Sequence, residues 1–301
     1  GAGATTTAAP RGACLMLGAH NYSELLTTYT AGSTLGSFVG AEENYLQLRG
    51  ASEAANATIS SAADGPLFFQ AGGASNNLLF SDVEIVPENM TTGAVFLGRD
   101  TANGFVELQD CVVGSPDQET GNRPKRLLEP KNGDTYKTHR CRLYADESGT
   151  ADRYVGDTRG TGGGNVELYS SIVSGGEFNQ AQGAVGNIKL FHSVVKKYTK
   201  QGLRQFSAGT APIVKGSVIY SDTPDGGNQT PFRNVAANTW GAGNLDYNIV
   251  DITSSEFFEV TDAEIGANSV IDPAVSNAGV FYVDPANDDY TPTASNVVVM
   301  N

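Results

Sequence analysis

Cysteine is scarce in this chain. Three residues of 301, Cys14, Cys111 and Cys141, form no CxxC pair, so the fold does not hang on a disulfide framework and at least one thiol stays free. Histidine is as sparse, and His20, His139 and His192 lack metal-ligand spacing, which argues against zinc. Basic residues are few: 19 Lys and Arg against 33 Asp and Glu give a formal charge of −14. That charge repels a phosphate backbone and an anionic membrane surface alike, so nucleic acid is not an expected partner. No run approaches the roughly 18 apolar residues of a membrane span. The opening GAGATTTAAP shows neither a basic-then-apolar signal segment nor an initiating Met, which reads as trimming or excision from a longer precursor.

What the chain does have is glycine, 36 residues of it, set among many Asn, Ser and Thr, together with 40% hydrophobic residues. Frequent turns between short apolar elements follow from that mixture, with enough apolar mass for a large core. One phrase recurs: an apolar residue, a variable one, an apolar one, two variable, a small polar one, then an apolar pair. Its clearest copies begin at Val106, Val166 and Ile188 and place Cys111, Ser171 and Ser193 at the small position. Looser copies place Asp82, Cys141, Ser217 and Asn248 there.

Taken from Asp82, the spacings are 29, 30, 30, 22, 24 and 31 residues. Aligned strands joined by loops of unequal length produce that pattern, and strict arrays do not. The period-2 rule puts Val106, Val166 and Ile188 in one interior column and Leu79, Leu108, Leu168, Leu190 and Val214 in another. Short residues at the sixth position suit a corner between strands and would stack coil on coil as a ladder. Cys111 and Cys141 then fall on neighbouring rungs, as contacting thiols or simply as small buried residues.

With these repeats, and with Tyr45-Leu-Gln-Leu-Arg-Gly-Ala-Ser like an early coil and Phe281-Tyr-Val-Asp-Pro-Ala-Asn-Asp-Asp-Tyr like a closing segment, the sequence resembles the right-handed parallel β-helix superfamily of pectate-lyase-like enzymes, other polysaccharide lyases and phage tailspikes. The resemblance implies an all-β, single-stranded right-handed parallel β-helix, a solenoid with N- and C-terminal caps. The expected division is an irregular cap over residues 1–44, the β-helix over 45–252 and a capping segment over 253–301. Fold alone does not fix function, since such scaffolds carry lyases, hydrolases and inert structural proteins.

Function must then come from the outward faces. The second position of the phrase reads Glu107, Lys137, Glu167, Lys189, alternating signs that suit ion pairs between rungs. The fourth reads Phe80, Gln109, His139, Tyr169, Phe191, Lys215. Rings in a row stack sugars or lie under a loop or a neighbouring subunit, and Phe80, His139, Tyr169, Phe191 and Lys215 form the candidate carbohydrate-binding set.

A lyase needs a base and a positive group for the uronate carboxylate. The run Lys196-Lys197-Tyr198-Thr199-Lys200-Gln-Gly-Leu-Arg204 is the densest basic patch, which makes Lys197, Lys200 and Arg204 the lyase candidates, although the ordered Lys, Arg and Asn pattern of calcium-assisted lyases is absent. Carboxylate pairs for a glycosidase occur at Asp146 and Glu147, Asp152 and Asp157, and Asp222 and Asp225, none marked out in so acidic a chain. No cofactor is required; the oxygen-rich Asp284 to Asp289 segment admits calcium but reads better as a turn.

Three long insertions, Pro116 to Thr135 with its basic Lys125, Arg126 and Lys131, Asp146 to Gly164, and Thr223 to Gly243 with Trp240, are natural places for a ligand. Asn21, Asn56, Asn89 and Asn228 fit the glycosylation acceptor rule. Three functions follow: an extracellular or virion-surface β-helix that binds polysaccharide or cell-surface glycan with or without cleavage, a polysaccharide lyase, or a non-enzymatic structural or adhesive subunit. Other virion or surface subunits, including copies of this chain, are the protein partners that such roles admit.

Overall fold

A computed structural model describes residues 13–17, 45–50, 57–61, 68–69, 77–87, 94–98, 104–118, 123–147, 153–158, 162–180, 186–197, 201–205, 210–220, 230–234, 240–241, 243–250, 266–271, 282–284 and 289–292. Among these residues every regular element is a strand. Three parallel sheets contain nine, nine and seven strands, and the chain visits them in turn, which is the topology of a parallel β-helix. The first sheet runs Ala13–Leu17, Tyr45–Gly50, Asn77–Ser81, Phe105–Gln109, Thr135–His139, Asn165–Tyr169, Asn187–Phe191, Ile213–Lys215 and Leu245–Asp246. The second begins two or three residues further along most coils, as in Val112–Val113 and Ile172–Ser174, and seven further along at Ala57–Ser61.

The third sheet holds Phe68–Phe69, Ala94–Leu97, Arg126–Glu129, Tyr154–Asp157, Glu177–Gln180, Gln201–Gln205 and Thr230–Asn234. It corrects the expectation of three long ligand-binding insertions, because strands of this sheet lie inside each of them. Trp240, expected in an accessible loop, is 1% exposed and packs edge-on against Phe232 at 5.9 Å. Parallel pairing also continues on both sides of residues 45–252, through Ala13–Leu17 on Tyr45–Gly50 and Val270–Ile271 on Ile249–Val250. Most of the two terminal segments lies outside the described residues.

Alternation explains the core. Leu78, Val106, Tyr136, Val166 and Ile188 share one buried column, and Phe80, Leu108, Thr138, Leu168, Leu190, Val214 and Leu245 share the next. Thr138 is the polar member, and its hydroxyl is satisfied by the Ser171 hydroxyl at 3.0 Å. The first coil departs from the expected register. Leu79 pairs with Glu107 on the outer face, whereas Phe80 is 1% exposed and meets Phe96 of the third sheet at 5.4 Å. A slip of one residue exchanges the two faces of a strand. The error arose from treating Asp82 as the counterpart of Cys111.

Backbone geometry shows why. Asp82, Asp110, Arg140, Ser170, His192, Gly216 and Tyr247 have φ of 50° to 60°, so the left-handed corner sits one residue before the small one. Asp82 therefore matches Asp110, and Val83 matches Cys111, which makes the first spacing 28 rather than 29. The small residues serve a different purpose. Ser171, Ser193 and Ser217 each accept the backbone N–H of the preceding rung's ladder residue at 3.2 Å and donate to the carbonyl two residues earlier in their own strand at 2.9 to 3.1 Å. Asn248 continues the ladder by accepting from Ser217 N–H at 3.0 Å.

At the other end Cys111 and Cys141 take the place of serine, with their sulfurs facing the N–H of Val83 and of Cys111. Both are buried and unbonded to each other, and burial pushes the Cys111 thiol well above its ordinary range.

Candidate functional site

The outer face of the first sheet carries two parallel stripes. Glu107, Lys137, Glu167 and Lys189 occupy successive rungs in register. Glu167 is the hub: it accepts from Lys189 at 2.7 Å and from the Tyr169 hydroxyl at 3.0 Å, and Lys137 lies 3.4 Å away. Burial alone would raise its pKa, but the hydrogen bonds from Lys189 and Tyr169 and the two ammonium charges outweigh that and hold it below the usual carboxylate range. The expected register-fixing surface is this network.

Two residues along each strand, Gln109, His139, Tyr169, Phe191 and Lys215 form the second stripe. His139 stacks on Tyr169 with centroids 4.8 Å apart and planes at 7°, and Tyr169 stacks on Phe191 at 5.3 Å and 13°. These centroid distances follow the strand spacing of about 4.8 Å, so the three rings form a continuous row along successive rungs. All three rings are partly exposed. His139 Nε2 lies 3.6 Å from Glu107, and Lys215 lies one rung beyond Phe191, with Asp246 on the rung after it. Phe80, expected in this set, belongs to the core because of the register slip described above.

The other candidates do not converge. Arg140 makes the corner between His139 and Cys141, so the imidazole faces outward while the thiol donates inward to the Leu108 carbonyl. Lys197 lies 3.8 Å from Glu147, Lys200 falls outside the described residues, and Arg204 stands on the third sheet. Asp146 is fully buried against Arg153 at 2.9 Å, and Glu147 is held by Arg123 at 2.5 Å and Ser174 at 3.0 Å. That pair fastens two loops. Asp152, Asp222 and Asp225, the residues 285–288 of the calcium candidate, and the four glycosylation acceptors lie outside the described residues. The strands flanking 285–288 pair antiparallel, Asp284 with Asp289. Among the described residues no group of three or more His, Cys, Asp and Glu gathers around a metal position, and no helix is long and apolar enough to cross a membrane.

A further polar stripe escaped the sequence reading because it lies on the third sheet. Its signal is an apolar, polar, amide triplet repeated as Phe178-Asn179-Gln180, Leu203-Arg204-Gln205 and Phe232-Arg233-Asn234. The corner and ladder rules organise the first two sheets only, so this triplet had no anchor in the repeated phrase. The architecture is that of a parallel β-helix, as the sequence resemblance implied. Comparison of the chain with known protein families, with curated proteins and with solved structures gave no match.

Proposed function

We propose that this protein is an extracellular or virion-surface β-helix that binds surface polysaccharide along the outer face of its first sheet. The observation that carries the reading is the stack of His139, Tyr169 and Phe191, partly exposed and followed by Lys215 on the next rung. Sugar rings present apolar C–H faces that lie well on aromatic planes, and three partly exposed rings repeat here at the rung spacing. A ladder of this kind suits an extended chain better than a compact ligand. Catalysis is not part of the proposal.

The same stack supports a second reading. Each stacked pair contributes about 0.5–1.5 kcal/mol to holding rungs together, and a purely structural or adhesive subunit needs nothing more. A glycan array on the wild-type chain and on Tyr169→Ala and Phe191→Ala separates the two. Glycan binding that falls about tenfold in both variants supports the polysaccharide reading. Unchanged binding removes the stripe as the site, and an array on which the wild type binds nothing leaves the structural reading.

A further inference from the structure

The face that carries the rings differs in charge from the chain as a whole. From Phe105 to Asp246 the outward residues of the first sheet carry three carboxylates, Glu107, Glu167 and Asp246, and three ammoniums, Lys137, Lys189 and Lys215. The corner beside them adds Asp110 and Arg140, joined to each other by two hydrogen bonds of 2.7 Å. With His139 neutral the face is balanced, although the chain has a formal charge of −14. Its cations are also engaged. Glu167 is 7% exposed and holds Lys189 at 2.7 Å and Lys137 at 3.4 Å, and both lysines remain partly exposed. Lys215 is followed by Asp246 on the next rung, about 4.8 Å along the axis.

Such a face discriminates between ligands by charge. A ligand carboxylate that takes Lys137 or Lys189 must draw the ammonium away from Glu167, and a mostly buried carboxylate stripped of a partner is costly. A carboxylate set beside Lys215 meets the like charge of Asp246 close by. A hydroxyl makes neither demand. Each ammonium has three donors, and Lys189 spends one on Glu167, so a hydroxyl accepts from an N–H that the ion pair leaves over. Glu107, partly exposed at the other end, accepts from a hydroxyl in turn. We propose that the ligand of this face is an uncharged, extended polysaccharide. Its sugars lie against His139, Tyr169 and Phe191, and hydroxyls along one edge accept from Lys137 and Lys189 without opening the pairs with Glu167. Those lysines stand two residues before His139 and Phe191 on the same strands, about 6.6 Å to one side of the ring row. The inference rests on the reading that this face binds polysaccharide and adds the chemical class.

Calorimetry on the full chain with cellohexaose, mannohexaose, xylohexaose and hexagalacturonate tests it. At least one of the three neutral hexasaccharides is expected to bind, and hexagalacturonate at least tenfold more weakly. Tyr169→Ala should weaken the neutral ligand about tenfold and Lys189→Ala about threefold. Glu167→Gln frees both ammoniums and should strengthen hexagalacturonate several-fold, a gain that a folding defect does not produce. The proposal is overturned if hexagalacturonate binds the wild type at least as tightly as the best neutral hexasaccharide, if a folded Glu167→Gln gains nothing toward it, or if no neutral hexasaccharide binds. Tight hexagalacturonate binding that is lost in Tyr169→Ala would overturn the neutral class and leave the polysaccharide reading standing. Neutral binding that is unchanged in Tyr169→Ala would overturn both.

Discussion

Removing one hydroxyl from the buried ladder isolates what holds successive coils in register. In Ser193→Ala two hydrogen bonds disappear: the one that Ser193 Oγ accepts from Ser171 N–H at 3.2 Å and the one it donates to the Phe191 carbonyl at 2.9 Å. The consequences are unequal. The Phe191 carbonyl still accepts from Ser170 N–H at 2.9 Å, so it stays satisfied. Ser171 is fully buried, and its N–H is left with no acceptor. An orphaned buried donor costs about 1–3 kcal/mol, against about 0.5–1.5 kcal/mol for the net value of an ordinary hydrogen bond. A loss of about 2 kcal/mol is expected. Ser193→Cys should cost less than half as much, because Cys111 and Cys141 already do the same work in this ladder with sulfur as acceptor. Equilibrium urea unfolding followed by far-UV circular dichroism measures both, and hydrogen exchange at the Ser171 amide reports the orphaned group directly. A Ser193→Ala protein within about 0.5 kcal/mol of the wild type, or a Ser193→Cys protein as damaged as Ser193→Ala, would refute the claim that the ladder carries these N–H groups.

Glu167→Gln removes the anion that joins Lys137, Lys189 and Tyr169, and should cost about 2 kcal/mol at neutral pH. Because the folded-state pKa of Glu167 lies below its ordinary value of 4.5, that stability is present above pH 4.5 and lost as pH falls through the folded value, so the variant should show a shallower acid limb in a stability-versus-pH series. Asp134 behaves oppositely. Burial raises its pKa from 3.8 to about 7, against the opposing pull of the Gly104 and Lys131 N–H groups, so its contribution is full below pH 3.8 and is lost as pH rises through about 7. Carboxyl titration by NMR should find a midpoint near 7, and Asp134→Asn should remove the decline in stability across that interval. The single tryptophan, Trp240, is buried, so native emission should be blue-shifted and insensitive to iodide; quenching in the folded protein would contradict its place in the core. Neither Cys111 nor Cys141 should react with a thiol reagent until the solenoid unfolds.

The legible part of the fold was the part with a fixed phrase. From Phe105 to Lys215 the apolar positions and the small sixth residue predicted the strands of the first sheet, the ladder and the facing of every side chain. Legibility failed at Asp82, where two apolar residues stand side by side at Leu78 and Leu79 and a third, Phe80, follows. Either register satisfies a hydrophobic count, and only the left-handed φ of 55° at Asp82 distinguishes them. Aspartate is equally at home at a small polar position and in a left-handed corner, so its identity could not decide. The third sheet failed for another reason. Its strands lie at variable distances from the phrase, Phe178 7 residues after Ser171, Leu203 10 after Ser193 and Phe232 15 after Ser217, so a search for one aligned motif reads them as loop.

The same logic bears on where function lies. Residues of the repeated phrase are constrained by the fold, and an outward ring there does two jobs at once: Tyr169 stacks on both neighbours and also donates to Glu167. Packing between rungs uses part of each ring, and the remainder stays open to solvent. Asn179 on the third sheet is different, since it is 1% exposed and neither polar atom of its side chain has a hydrogen-bond partner. Local arrangements that cost stability persist where something other than folding maintains them. Replacing Asn179 by alanine, which removes both unpartnered polar atoms without adding bulk, should therefore leave the chain at least as stable in urea. An Asn179→Ala protein less stable by about 1 kcal/mol or more would mean that the amide is satisfied in the folded chain.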